Sequence, residues 1–184
     1  MPGRRALGDH VPFALVDVFA DAPLTGNPLA VVDVSHLDEE PPVAWMQKAA
    51  REFNQAETTF VVRPPATAGR GVAARLRSFT AGGAEVFGAG HNASVARWWV
   101  FETGRVTRPD DGGCVTQMIG DRESDVLALG DRLGMVQEPA RFGRQAEPRA
   151  VAEALRLHPE ELDLSLTPRS TDTGASHHSA FPSG

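Results

Sequence analysis

Ala50-Arg51-Glu52-Phe53-Asn54-Gln55-Ala56-Glu57-Thr58-Thr59-Phe60-Val61 is the stretch that decides the fold. Its first part closes a helical pattern and its second part opens a strand. Upstream, Val43, Met46, Ala50 and Phe53 recur three or four residues apart, while Gln47, Lys48, Arg51 and Glu52 fall elsewhere. That spacing gives a helix one apolar stripe. Pro41-Pro42 stand before it, and the helix is expected to end near Asn54. Glu57 to Val62 is β-branched and aromatic, which suits a pleated, half-buried surface. Pro64 and Pro65 close that strand.

On the N-terminal side, Phe13 to Phe19 reads as a strand that stops at Asp21, Pro23 and Gly26. Asn27-Pro28 opens a second run, Leu29 to Val34, and the short turn-rich link makes the two a hairpin. On the C-terminal side, Val72 to Phe79 alternates, with Val72, Ala74, Leu76 and Ser78 on one face. Gly82-Gly83 and Gly88-Ala89-Gly90 break the chain before a second helix, Ala93 to Phe101. Val95, Trp98, Trp99 and Val100 make it the most buried helix expected, and Gly104 stops it. Further strands are expected at 115–119, 125–129 and 133–137, and a short helix at 150–157. From Leu166 onward the chain is polar, and a tail or an interrupted element is expected. The order is that of an α+β domain with a mixed or antiparallel sheet, not the regular alternation of a doubly wound nucleotide fold.

With 184 residues, 41% of them apolar, the chain can build a core. Its net charge of -6 disfavours general nucleic-acid binding, because phosphate backbones recruit Lys and Arg. Arg51, Arg70, Arg75 and Arg77 read as solvated faces or as a local basic pocket. Cys114 is the one cysteine, so no internal disulfide forms, and a reducing, cytoplasmic compartment is the expectation. It has no activating neighbour in sequence and reads as structural. No apolar run is long enough for a membrane helix.

Two places carry chemistry. Glu57 sits where a turn enters a strand. There a carboxylate either faces solvent or faces a pocket as a proton carrier. His91 follows two glycines and opens a helix, whose start attracts anions. Gly90, His91 and Asn92 therefore read as a carboxylate site or as a plain helix cap. No phosphate-loop ending follows the glycines. His177-His178 lacks a further ligand at metal-site spacing, so no metal is expected.

Three segments together resemble the PhzF-like isomerases of phenazine biosynthesis. They are Val16-Asp17-Val18-Phe19 with Gly26-Asn27-Pro28-Leu29-Ala30-Val31-Val32; Ala50 to Val61; and Arg77-Ser78-Phe79-Thr80 with Glu85 to His91. A fainter likeness runs through Leu157 to Asp163 and Ser170 to Gly174. The resemblance implies a diaminopimelate epimerase-like lobe, an α+β unit whose sheet curls around a central helix. It implies cofactor-free and metal-free isomerisation or epimerisation, by carbon-to-carbon proton transfer, of a small carboxylated metabolite. Glu57 matches the family's catalytic glutamate, and His91 its catalytic histidine. Gly90 matches the family's substrate-carboxylate site and Asn27 a turn residue near the pocket; Asn92, next to that site, is expected to touch the substrate as well.

The chain departs from the family's pattern around that site. Prolines near Ala81 and Phe87 are absent, Gly88 stands for a phenylalanine, and Asn92-Ala93 replaces Pro or Ala followed by Thr. The expected organisation is a leader over 1–12, a first lobe over 13–140, and an inter-lobe region with the start of a second lobe over 141–184. The second lobe's aspartate and glycine-serine segment have no match here. Two function classes remain open: an isomerase completed as a homodimer or by a complementary chain, and an inactive half-length homologue that binds a small molecule or a protein. No nucleic-acid or membrane partner is expected.

Overall fold

The structure, a computed structural model, describes residues 10–69, 71–87, 90–104, 106–130, 132–136, 139–163, 165–172 and 176–179, without the side chains of 91, 93–97 and 176–179. The chain divides into two compact units, Met1–Val136 and Gln137–Gly184.

The first unit holds strands β1 (Phe13–Val18), β2 (Asn27–Asp33), β3 (Glu57–Val62), β4 (Arg75–Thr80), β5 (Glu85–Val86), β6 (Cys114–Ile119), β7 (Arg122–Leu129) and β8 (Arg132–Met135), with helices α1 (Val43–Phe53) and α2 (Gly90–Glu102). The strands form one sheet in the order β1-β2-β3-β4-β6-β7-β8, with β5 on β4. β2–β3 and β4–β6 are parallel and the other pairs antiparallel. Each parallel pair spans a helix, because a parallel return needs a crossover.

Alternation along β2, β3 and β4 builds a separate core on each face. Leu29, Val31, Val61, Ala74 and Leu76 join Val18 and Val100 on the α2 face. Val32, Val34, Phe60, Val62 and Phe79 join Met46 and Ala50 on the α1 face. On the α1 side, Phe60 lies between Trp45 and Phe79, edge-on to both at 5.9 and 5.8 Å between ring centres. α2 touches β1, β2, β3 and β4 from one end of the sheet and β8 from the other. The sheet therefore curls around α2, which is the central helix.

α1 ends as its sequence indicates. Asn54 takes the left-handed conformation, and its N–H donates to the Ala50 carbonyl at 3.1 Å. α2 starts earlier than the apolar pattern suggests, at Gly90 rather than Ala93. Val100 is buried, but Trp98 is 41% exposed, because a helix in a curled sheet still keeps one open side. No helix among the described residues is long and apolar enough to cross a membrane.

The second unit contains β9 (Arg141–Gln145), α3 (Pro148–Leu155), a 3-10 turn at Pro159–Glu161, β10 (Arg169–Asp172) and β11 (Ser176–Ser179). β10 pairs with both β9 and β11, all antiparallel. Of the two expectations for the chain from Leu166 onward, a tail or an interrupted element, the strands at Arg169–Asp172 and Ser176–Ser179 overturn the tail. The strands were invisible to pattern because Arg141–Gln145 is exposed throughout and has no alternation to read. α3 begins with Glu147, whose carboxylate accepts from the Ala150 N–H at 3.0 Å, and with Pro148 at its first turn. It ends at Leu155 rather than Leu157, with Arg156 in the left-handed conformation.

Two changes test this packing. Phe60→Ala empties the centre of the α1-side core and should lower unfolding free energy by about 3–5 kcal/mol in urea denaturation. The β1–β2 loop has no room at Gly26, where an added Cβ would press on the Val18 carbonyl oxygen, the Ala20 side chain and the Asp17 carboxylate. Gly26→Ala should therefore cost about 1–3 kcal/mol by the same measurement, well above an ordinary exposed-loop substitution.

Candidate active site

Glu57 is the first residue of β3 and is half-buried. Val61 belongs to the α2-side core, so Thr59 and Glu57 project from the same face. In register, Glu57 lies between Leu29 of β2 and Thr80 of β4. Asn27 is the first residue of β2 and shares the face of Leu29 and Val31, so it lies diagonally beside Glu57. The loop that delivers Asn27 is tied down. The Gly26 N–H donates to Asp17 Oδ2 at 3.1 Å, and the Thr25 hydroxyl donates to the Ala22 carbonyl at 2.7 Å.

Two constraints place the start of α2 at this same end of the sheet. Val86 of β5 pairs with Ser78, which pairs with Thr59. Gly90 follows only four residues later, within about 14 Å of extended chain. At the other end of the helix, Trp99 Nε1 donates to Asp33 Oδ2 at 3.3 Å, and Asp33 sits beside Val61, four residues along β3 from Glu57. Nine residues of helix and four of strand both span roughly 13 Å. α2 therefore runs back from its start near Glu57 toward Val61.

Gly90 is half-buried at the head of α2, and Asn92 is 3% exposed. His91 is the second residue of the helix, and its side chain lies outside the described residues. No acidic residue occupies the first turn of α2, where the helix dipole is positive. Asn27, Glu57, Gly90 and Asn92 thus share one end of the curled sheet.

An ionic cluster on the opposite face holds β5 in place. Arg77 donates to both Glu85 oxygens, at 2.8 and 2.7 Å, and to Glu40 at 2.6 Å. These bonds, the Glu85 pair foremost, hold the Arg77 guanidinium above its usual pKa despite burial. Gln47 and Arg51 of α1 donate to the Gly83 and Gly82 carbonyls. The turn leading from β4 toward α2 is thereby fastened to α1.

Sequence reading passed over several polar groups inside the curl. Thr59 and Ser78 share a buried hydroxyl hydrogen bond of 2.9 Å. Gln117 is fully buried, and neither end of its carboxamide has a hydrogen-bond partner among the described residues. Their cross-strand placement, not any motif, brings them inward. Asp33 accepts from Trp99, from the Ser35 N–H and from the Ser35 hydroxyl, and so braces the fold. Asp111 accepts from the Gly130 N–H and Asp125 from the Thr116 hydroxyl. A groove of about 480 Å³ lined by Trp45, Lys48, Ala49, Glu52 and Phe53 lies on α1, across the sheet from Glu57. Cys114 is exposed, and no cluster of three metal-ligating side chains occurs among the described residues.

Comparison with known proteins adds the family. A family model described as phenazine biosynthesis-like protein matches residues 16–118. An uncharacterized isomerase of Pseudomonas aeruginosa is 36% identical over 149 residues, 80% of this chain and 51% of that protein. A trans-2,3-dihydro-3-hydroxyanthranilate isomerase of Pseudomonas fluorescens is 48% identical over 52 residues, 28% of this chain and 18% of that protein. The crystal structure of a Bacillus anthracis phenazine biosynthesis protein of the PhzF family superposes with a TM-score of 0.70 at 23% identity, covering 91% of this chain and 54% of that one. The chain spans about half the length of the Pseudomonas aeruginosa isomerase, over four-fifths of its own residues. The match to the family model over more than half the chain, on a curled sheet with α2 at its centre, shows that the chain belongs to the phenazine biosynthesis-like (PhzC-PhzF) family.

Proposed function

We propose that this chain supplies the proton-transferring half of an isomerase that moves a hydrogen between carbons of a small carboxylated metabolite, in secondary metabolism, without cofactor or metal. The observation that carries this reading is the position of Glu57, on the α2 face of the sheet at the end where α2 begins. In this reading the substrate carboxylate rests at the start of α2, against Gly90 and Asn92, where the dipole favours negative charge. That places a C–H bond in front of Glu57. The carboxylate takes the proton, the electron pair shifts along the conjugated skeleton, and the resulting acid returns the proton to a second carbon. His91, on the first turn of α2, hydrogen-bonds the substrate or assists the transfer. Asn27 borders the pocket from the β1–β2 loop. A second copy of the chain, or a complementary chain, completes the cleft, and closure against water strengthens every polar contact within it.

A second reading is that this lobe binds a small carboxylated ligand at the start of α2 without turnover. Deuterium uptake separates the two. In D2O, trans-2,3-dihydro-3-hydroxyanthranilate should gain solvent deuterium in the presence of the chain, as read by mass spectrometry. Glu57→Gln should slow that uptake by about 10²–10⁴-fold while leaving ligand affinity nearly unchanged. Uptake that survives the substitution would remove Glu57 from the chemistry. Binding with no uptake in either protein would establish the binding module. The solution mass from light scattering reads assembly directly, and a dimer is expected.

A further inference from the structure

We propose that the Asn92 carboxamide selects the ligand at the start of α2, by hydrogen bonding to an amino or hydroxyl group next to the ligand's carboxylate. The inference deepens the function proposed above and rests on it. Asn92 is 3% exposed, and both Oδ1 and Nδ2 are buried without a hydrogen-bond partner among the described residues. A buried amide left in that state is costly, and folded proteins rarely keep one without a use. Its place supplies the use. Residue 92 lies in the first turn of α2 and, like Val100, is buried while Trp98 is open. Side chains on a helix lean toward its N-terminus, so this carboxamide is carried back toward the helix opening.

The chemistry of the ligand follows from the two ends of the amide. Nδ2 is a donor and can bond a carboxylate oxygen drawn to the helix start. Oδ1 is an acceptor, and an ionised carboxylate has no hydrogen to offer it. A simple carboxylate therefore satisfies half of Asn92. A ligand bearing N–H or O–H beside its carboxylate satisfies both halves. A site whose buried polar group needs such a partner rejects the analogue that lacks it far more strongly than an apolar pocket rejects a missing methylene.

The test compares anthranilate with benzoate, which differ by the ortho amino group, using isothermal titration on the full chain. The wild-type chain should bind anthranilate at least about 10-fold more tightly. Asn92→Leu, close in volume, should bind the two acids equally, and Asn92→Ala should do the same if the leucine variant does not fold. With its orphaned amide removed, Asn92→Leu should also melt about 2–6 °C higher without ligand. Gln117→Leu, which removes an equally orphaned amide outside the site, should raise the melting temperature but keep the preference for anthranilate. Equal affinity of the wild-type chain for both acids would overturn the role of Asn92 while leaving the carboxylate site intact. A preference unchanged in Asn92→Leu, or a lower melting temperature, would also overturn it. Binding of neither acid would overturn this inference together with the carboxylate site beneath it.

Discussion

The register of β3 between β2 and β4 is the constraint on which the rest of this unit depends. Leu29 opposes Glu57 across a parallel pair, and Thr80 opposes it across an antiparallel one. Both faces of β3 are buried, with Val61 under α2 and Phe60 under α1. A one-residue slip would exchange those faces and turn Glu57 from the α2 side to the α1 side. Register here is over-determined, because each face has its own apolar cluster and neither tolerates the other's side chains. The face on which the carboxylate stands is set by the hydrophobic packing of its strand.

α2 uses the same packing for a different end. Its C-terminal half is anchored by Val100 in the core and by the Trp99–Asp33 hydrogen bond. Its N-terminal end is thereby held against the opening of the curl. The ionic cluster of Arg77 with Glu85 and Glu40 keeps β5 on β4, so the chain enters α2 from a fixed point. Such bonds on a partly exposed face add little stability individually. Their contribution is geometric, since β5 has only two residues and these bonds add to its pairing with β4 and to the turn bonds from α1. The result is a floor of strands with the start of α2 above it, at the end of the sheet where Glu57 stands.

Much of the first unit was legible in the chain. The α1 stripe, the left-handed stop at Asn54 and the β-branched run after Glu57 each have a local physical cause. The β1–β2 hairpin was readable because a turn-rich link joins two apolar runs. In the second unit α3 was legible but the strands were not, since Arg141–Gln145 and Arg169–Asp172 carry no alternating pattern and owe their pairing to one another. Around the candidate site, residue types pointed to Glu57 and to the glycines before α2. Asn92 was a candidate by its place at the helix start, but its burial, the Thr59–Ser78 pair and the Gln117 carboxamide gave no local signal. Burial is a property of what lies opposite, and sequence spacing does not report it.

Sequence by itself therefore determined most elements of the first unit, though not β5, and the chemical types available to a site. Periodicity, helix stops and turn residues act over a few neighbouring positions, so the chain displays them directly. Tertiary structure alone decided which face of β3 carries Glu57, which end of α2 meets it, and which polar groups lose contact with water. Those outcomes depend on pairing between Asn27–Asp33, Glu57–Val62 and Arg75–Thr80, and on the helix packed across them. Contacts between residues far apart in sequence exist only once the sheet has closed around α2.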